Sequence, residues 1–461
     1  MQQLNYPFAI TGVGMTQISS AQQPIVPGYP NGTNGKFQNV VVQGNYAYVA
    51  ASGGNGTGII GLSLVIYNVA NPQAPYVEGY LETGTVPWSS GPSYLNGAYA
   101  IAVSGQYAYI FSSGASTLYI VNISNPAAPT NVSALLISGS PGSLYSGAYS
   151  NGYVYIATQN KGLTVVNVSN PATPVQVFQE GGTTNKSVGV CVANGYCYTT
   201  NYQTTSPWTV RYLKIWSLAT PSTPSLLETY TLPAGTKPAA VAVYGNTAFV
   251  SDLNTSSVQI VDVTTPTSPN YLASMQASSA FDVMNTAAVS GNYAYIASGG
   301  NATFGGAVDF YDITNLSSPV LVNTYKSNVA TEQFTQAIVA NNLLYIADYG
   351  TGAVNVSYLQ ILTTQTFWSP VIDSRNAFYA SVQIANQTSS SAVGTYAVLG
   401  SNDSSSPTNW AVIPGTTGTI NGKGVYLVPK FDLSYQYMQF AYTTTSPGNM
   451  TGAIKLFNGN L

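Results

Sequence analysis

The chain has no histidine, and it has very few charged side chains of either sign. Without imidazole, every mechanism that uses it as base, nucleophile partner or metal ligand is excluded. Only 5% of the 461 residues are Asp, Glu, Lys or Arg, and the formal net charge is -3. No cluster of Lys or Arg offers the footprint that nucleic acid or an anionic membrane surface requires. No apolar run reaches the length of a membrane-spanning helix. The first 35 residues hold no Lys or Arg, so MQQLNYPFAITGVGMTQ does not read as a secretion leader. Cysteine is nearly absent too, with Cys191 and Cys197 flanking the turn signal Asn194-Gly195. A two-residue hairpin there would pair Val192 with Cys197 and Cys191 with Tyr198, one step out of register for a disulfide.

What remains is a polar but uncharged chain that is 45% apolar, with 36 Tyr and 44 Gly. That composition buries too much to be disordered, and the surface must consist of Ser, Thr, Asn, Gln, Gly and Tyr. Thirteen Asn-x-Ser/Thr sequences occur, close to what such a composition produces unaided.

Two phrases repeat. One is a proline turn: NVANPQAP from Asn68, NISNPAAP from Asn122, NVSNPATP from Asn167, SLATPSTP from Ser217, DVTTPTSP from Asp262 and DITNLSSP from Asp312. Upstream of each lies a turn followed by an aromatic alternation, ending at Ala50, Phe111, Ala157, Thr200, Ser251 and Ala297, with a seventh copy ending at Ala347. The copies are spaced by 43 residues (Ala157 to Thr200) to 61 residues (Ala50 to Phe111). A period in this range with strand-type alternation predicts a β-propeller. In the third unit a strand runs to Tyr149, Asn151-Gly152 turns it, and strands follow at Tyr153–Ala157, Leu163–Val168 and Val175–Gln179. Pro174 opens the fourth strand, which fits only an outer edge.

These units resemble the LVIVD repeat of seven-bladed propellers, through SLVIYNV, TLYIVNI, LTVVNV, YLKIWSL, VQIVDV and VDFYDI. The resemblance covers residues 36–362 and implies the fold while saying almost nothing of activity. The seventh unit has no proline turn and no fourth strand of its own. The N-terminal segment, residues 1–35, which contains ITGVGMTQI, is available to close the ring.

From residue 363 to 461 the period is lost. AFYASVQIAN, GTYAVLGSN, WAVIPG, KGVYLVP, YQYMQFAYTT and GAIKLFNG read as short strands of a β-sandwich or jelly roll. The run LGSNDSSSPTNWAVI and the Tyr-rich strand after it are similar to a domain of bacteriophage virion structural proteins. The fold class expected is therefore all-β, a seven-bladed propeller followed by a sandwich domain.

Candidate chemistry is sparse. The acids are scattered, without the facing pair a glycosidase needs, and the two arginines, Arg211 and Arg375, fall in different domains. Asp262 and Asp312 occupy the repeat position of Asn68, Asn122 and Asn167, which marks them as turn caps. Asp252 and Asp348 stand where a calcium ion would find carboxylates. No enzyme activity, cofactor or metal is expected. Loop length is more telling. From the aromatic strand to the last proline the count is 20 residues in the second unit (Tyr109 to Pro129), 27 in the first (Tyr48 to Pro75) and 26 in the fourth (Tyr198 to Pro224). All the added length opens on one face, in AASGGNGTGII, ETGTVPWSSGPSY, TTNYQTTSPWTVRY and ASGGNATFGGA. These carry Trp88, Tyr94, Tyr202, Trp208, Arg211 and Phe304 among small polar residues, the mixture used for recognition.

The expectation is a non-enzymatic virion surface protein. Its propeller would meet a host surface receptor or glycan, its sandwich would contact other virion proteins, and the whole would be oligomeric in the assembly. The alternatives are a microbial cell-surface adhesion protein and, further off, a glycan-active enzyme.

Overall fold

The computed structural model describes residues 2–10, 16–22, 36–52, 62–71, 75–82, 98–113, 115–181, 186–202, 210–280, 287–299, 305–327, 332–341, 343–348, 353–358, 365–368, 372–373, 379–386, 393–402, 411–414, 416–421, 424–432, 436–444 and 450–458. All secondary structure among them is strand and turn. The chain divides into two compact units, Met15–Leu359 and Met1–Gly14 with Gln360–Leu461.

The larger unit is a propeller of seven antiparallel four-stranded sheets among the described residues. Six blades are sequential, spanning residues 36–82, 98–136, 144–179, 186–231, 238–276 and 287–326. In blade 3 the strands are Leu144–Ser150, Tyr153–Thr158, Gly162–Asn167 and Val175–Gln179, paired in that order, so Val175–Gln179 is the outer edge. Asn151 and Gly152 both have positive φ (49° and 81°), which is what a two-residue hairpin with the twist of its strands demands.

Blade 7 is composite. Phe334–Ala340, Leu343–Asp348 and Ala353–Tyr358 come from the end of the repeat region, and the outer strand is Thr16–Gln22, antiparallel to Ala353–Tyr358. The N-terminal segment thus closes the ring, slightly beyond the ITGVGMTQI stretch that suggested it. The same segment also serves the other unit: Gln2–Ile10 pairs along its whole length with Met450–Asn458. The N-terminal 35 residues therefore split between two sheets.

Each blade is apolar on both faces and buries them against its neighbours. Tyr48, Ala50, Leu64 and Ile66 of blade 1 pack with Ala98, Ile101, Ala108, Ile110, Tyr119 and Val121 of blade 2. At the seam between blades 7 and 1, Leu343, Tyr345 and Ala347 join Phe37, Val49, Val65 and Tyr67. The aromatic repeat is the source of this: Tyr48, Tyr109, Tyr155, Tyr198, Phe249, Tyr295 and Tyr345 are all 3% exposed or less. Blades approach so closely that a Cβ added at Gly79 of blade 1 would lie 2.2 Å from Pro126 O of blade 2.

Hydrogen bonds also link the innermost strands. Near the start of these strands the register breaks in the same place in six blades, as between Phe37 and Asn39 or Phe334 and Gln336. Such bulges re-aim a side chain. Here they turn amides and hydroxyls sideways: Ile101 N donates to Asn39 Oδ1 (3.1 Å), Val190 N to Ser146 Oγ (3.4 Å) and Val40 N to Gln336 Oε1 (2.7 Å). At the opposite end Asn194 Nδ2 donates to Gly245 O (2.7 Å) and Asn341 Nδ2 to Gly44 O (3.3 Å).

The smaller unit holds two sheets, one ordered Gln2–Ile10, Met450–Asn458, Tyr379–Asn386 and Gly424–Asp432, the other built on Val393–Ser401 and Tyr437–Thr444. Val398, Met438 and Phe440 are fully buried, giving the sandwich-type domain that follows the propeller.

The seam bond gives a test of closure. Gln336→Ala leaves Val40 N–H without its acceptor and should cost about 1–3 kcal/mol in chemical denaturation. Asn194→Ala, at an exposed turn, should cost less than about 1 kcal/mol.

Candidate functional site

The strand order fixes two unlike ends of the propeller. At the proline end lie the turns joining first to second and third to fourth strands. At the loop end lie the turns joining second to third strands and the links between blades.

The proline end is uniform because its polar groups are consumed locally. The main-chain N–H two residues on donates to the side chain of Asn68, Asn122, Asn167, Asp262 and Asp312 at 2.8–3.1 Å, and to Ser217 Oγ at 3.3 Å. A second such turn follows at Asn125, Asn170 and Asn315. These are Asx turns. Asp262 and Asp312 are turn caps, and the hydrogen bonds from Thr264 hold the Asp262 carboxyl below its ordinary range.

At the loop end the buried carboxylates are likewise structural. Asp252 is fully buried; its Oδ1 accepts from Lys237 N (2.8 Å) and Asn254 N (2.9 Å), and its Oδ2 from Thr255 Oγ1 (2.5 Å). Asp348 repeats the arrangement, accepting Gln333 N at 2.8 Å. Asp309 accepts from Ser278 N (2.6 Å), Ser278 Oγ (2.5 Å) and Thr324 Oγ1 (2.7 Å). Among the described residues no group of three or more Cys, Asp or Glu is placed to hold a metal ion.

The candidate recognition residues are only partly in view. Trp88, Tyr94, Trp208 and Phe304 lie outside the described residues. Tyr202 and Arg211 sit directly opposite each other at the loop end of blade 4, closing Tyr196–Tyr202 and opening Arg211–Ser217. Tyr202 is only 5% exposed and packs with Val188, Ala239, Tyr145 and Leu253, so its ring belongs to the interior rather than to a contact surface. The Lys237 ammonium lies 5.1 Å from the ring centroid. Arg211 is half-buried and its Nε donates to Leu232 O at 2.7 Å, fixing the plane of the guanidinium.

Sequence reasoning passed over two neighbours of this pair. Lys186, opposite Tyr202 on the innermost strand, donates to Tyr145 OH (3.3 Å) and lies 5.5 Å from that ring's centroid. Lys237 immediately precedes the innermost strand of blade 5. The signal available was scarcity, since the chain has only 11 Lys and Arg.

Cys191 faces Tyr198 and Cys197 faces Val192, both thiols unbridged, in the register the hairpin predicts. Burial pushes the Cys191 thiol up to about 11, away from reactive thiolate character.

Comparison with known proteins agrees with this architecture. The LVIVD repeat matches residues 34–79, 97–135, 146–179, 237–276 and 284–327. Five of the seven blades carry it. Blade 4, with its long TTSPWTV connection, and the composite blade 7 fall outside the matched segments. No curated protein matches the chain. Among solved structures, a chain of the mitotic checkpoint complex aligns with a TM-score of 0.51 at 10% identity, over 75% of this chain and 92% of that one, a likeness of fold alone. The computationally designed Ika8 protein (TM-score 0.46, 11% identity, 75% and 100% coverage) and BamB from Moraxella catarrhalis (0.44, 14%, 76% and 99%) also align.

The buried phenols set the pH response. Burial raises Tyr109, Tyr198 and Tyr202 to about 12, from an ordinary value of 10. Neutral Tyr is therefore favoured in the fold, a contribution fully present below pH 10 and lost as pH climbs toward 12. With no imidazole to titrate, denaturation midpoints should hold steady around neutrality and fall above about pH 10. Phenolate absorbance from these residues should appear together with unfolding, not ahead of it.

Proposed function

We propose that this propeller protein is a non-enzymatic recognition protein of a virion exterior, with the loop end of the propeller facing a host receptor or glycan. The observation that carries the reading is the contrast between the two ends. The proline end is held to one geometry by the same main-chain hydrogen bonds in blade after blade. The added chain length emerges only at the loop end, between second and third strands or between blades. A rigid scaffold with one elaborated face is the usual arrangement for binding.

The lack of histidine supports a non-catalytic role, as does the commitment of Asp252, Asp309 and Asp348 to hydrogen bonds within the fold. The place on a particle is supported by the resemblance of residues 365–461 to virion domains. In this reading the two-sheet unit contacts other virion proteins or completes an oligomer. Weak polar-aromatic sites suffice on a particle, because many copies bind together.

The test is immunogold labelling of particles from the source culture with an antibody against residues 36–362. Labelling at discrete exterior sites is the expected result, and Trp88→Ala with Trp208→Ala should then slow adsorption by about tenfold or more. Labelling of cells and never of particles would overturn the virion assignment in favour of a cell-surface adhesin.

A further inference from the structure

The few cations of the propeller are not spread evenly. Residues 36–362 contain seven Lys and Arg: Lys36, Lys161, Lys186, Arg211, Lys214, Lys237 and Lys326. Lys36, Lys186 and Arg211 each open a strand at the loop end, and Lys326 closes one there. Lys161 stands in a turn between second and third strands, and Lys237 in the link that enters blade 5. Six of the seven thus lie at the loop end, while Asp262 and Asp312 lie at the proline end. Lys214, the exception, forms an ion pair with Glu180.

Three of the six converge. Lys186, Tyr202 and Arg211 are opposite one another across three adjacent strands, and Lys237 reaches over the Tyr202 ring from the next blade. Each cation is half-buried and held by its surroundings: Lys186 by Tyr145, Lys237 by Tyr202 and Arg211 by Leu232 O. Long cationic side chains laid on aromatic rings keep a fixed position and lose little freedom on binding. The carboxylate nearest to them, Asp252, is buried beneath and spent on Lys237 N, Asn254 N and Thr255 Oγ1.

The floor of the cluster is polar and incompletely paired. Ser187 and Asn201 are opposite each other one step in from Lys186 and Tyr202, 0% and 2% exposed. Ser187 Oγ and Asn201 Oδ1 are buried without a hydrogen-bond partner. Such groups are costly to leave unmade, and a hydroxyl-bearing ligand, directly or through water, supplies what they lack.

We infer that the loop end of blades 3–5 binds a carboxylated saccharide of an acidic surface polysaccharide, with Lys186, Arg211 and Lys237 facing its carboxylates. This deepens the recognition reading above and rests on it. Lys186 and Arg211 flank one strand, about 9.5 Å apart along the sheet, a span comparable with a disaccharide. A saccharide suits the site better than an acidic peptide because it brings hydroxyls to the Ser187–Asn201 floor along with its charge.

The test is titration of the full-length protein with three probes: an alginate oligosaccharide, its carboxyl-reduced neutral counterpart, and an oligoglutamate of equal charge. Binding of the first alone, weakening as salt is raised, is expected. Lys186→Gln and Lys237→Gln should each weaken it about tenfold, the worth of one charge-assisted hydrogen bond. Lys186→Arg should retain it, which separates loss of charge from loss of fold. Lys326→Gln, on blade 6, should change affinity less than twofold. Equal binding of the neutral sugar or of oligoglutamate, equal loss in Lys326→Gln, or no binding of alginate would each overturn the inference. Particle labelling is independent of these outcomes, so exterior labelling without alginate binding would leave the attachment role standing and remove only the acidic ligand.

Discussion

A four-stranded sheet that is apolar on both faces has no stable place in water except between two others like it. Each blade here meets that condition through one residue position, the aromatic at the centre of the second strand, from Tyr48 to Tyr345. An open row would leave two such faces bare, one at each end. Closure of the ring is therefore the constraint on which the rest depends. It explains why Thr16–Gln22 is recruited to blade 7, and why amide side chains such as Gln336 and Asn39 bridge innermost strands where the register breaks.

Much of this was legible because it repeats. The Asn-Gly and Gly-Asn turns, the aromatic alternation and the proline turn each recur at fixed offsets. The strands of blade 3 read from sequence differ from those observed by no more than one residue where they can be compared, as with Leu163–Val168 against Gly162–Asn167. The cysteine register followed from the hairpin alone. What does not repeat was harder to read. Nothing local in QQLNYPFAI distinguishes a strand that pairs with Met450–Asn458 from one that finishes a blade, since the partner is some 450 residues away. Tyr202 looked like a loop aromatic because it adjoins a long insertion, yet it is the last residue of its strand and turns inward. Lys186 and Lys237 escaped notice because a lone Lys at the start of a strand carries no pattern until the next blade is set beside it.

The two ends of the propeller divide its labour by chemistry as well as by loop length. At the proline end, Asn and Asp side chains turn back on the main chain and leave little to offer a partner. At the loop end, the carboxylates are drawn into the fold while cations lie on tyrosine rings. In a chain with so little charge, this separation gives the molecule a direction, with the weak field of a handful of lysines concentrated where the insertions are.

The composite seventh blade also orders events in time. Thr16–Gln22 is synthesised first among the propeller strands and cannot pair until Ala353–Tyr358 exists, an interval of roughly 20–70 s at ordinary elongation rates. Gln2–Ile10 waits longer still, for the last strand of the chain. Unpaired strands are hazards in a nascent protein, and the composition of these two answers that hazard: TQISSAQ is mostly small and polar, and QQLNYPFAI carries Pro7 in a strand that ends as a sheet edge. The segment that locks both units is thus built to remain idle while the rest of the polypeptide is made, and both units are completed only after translation has nearly ended.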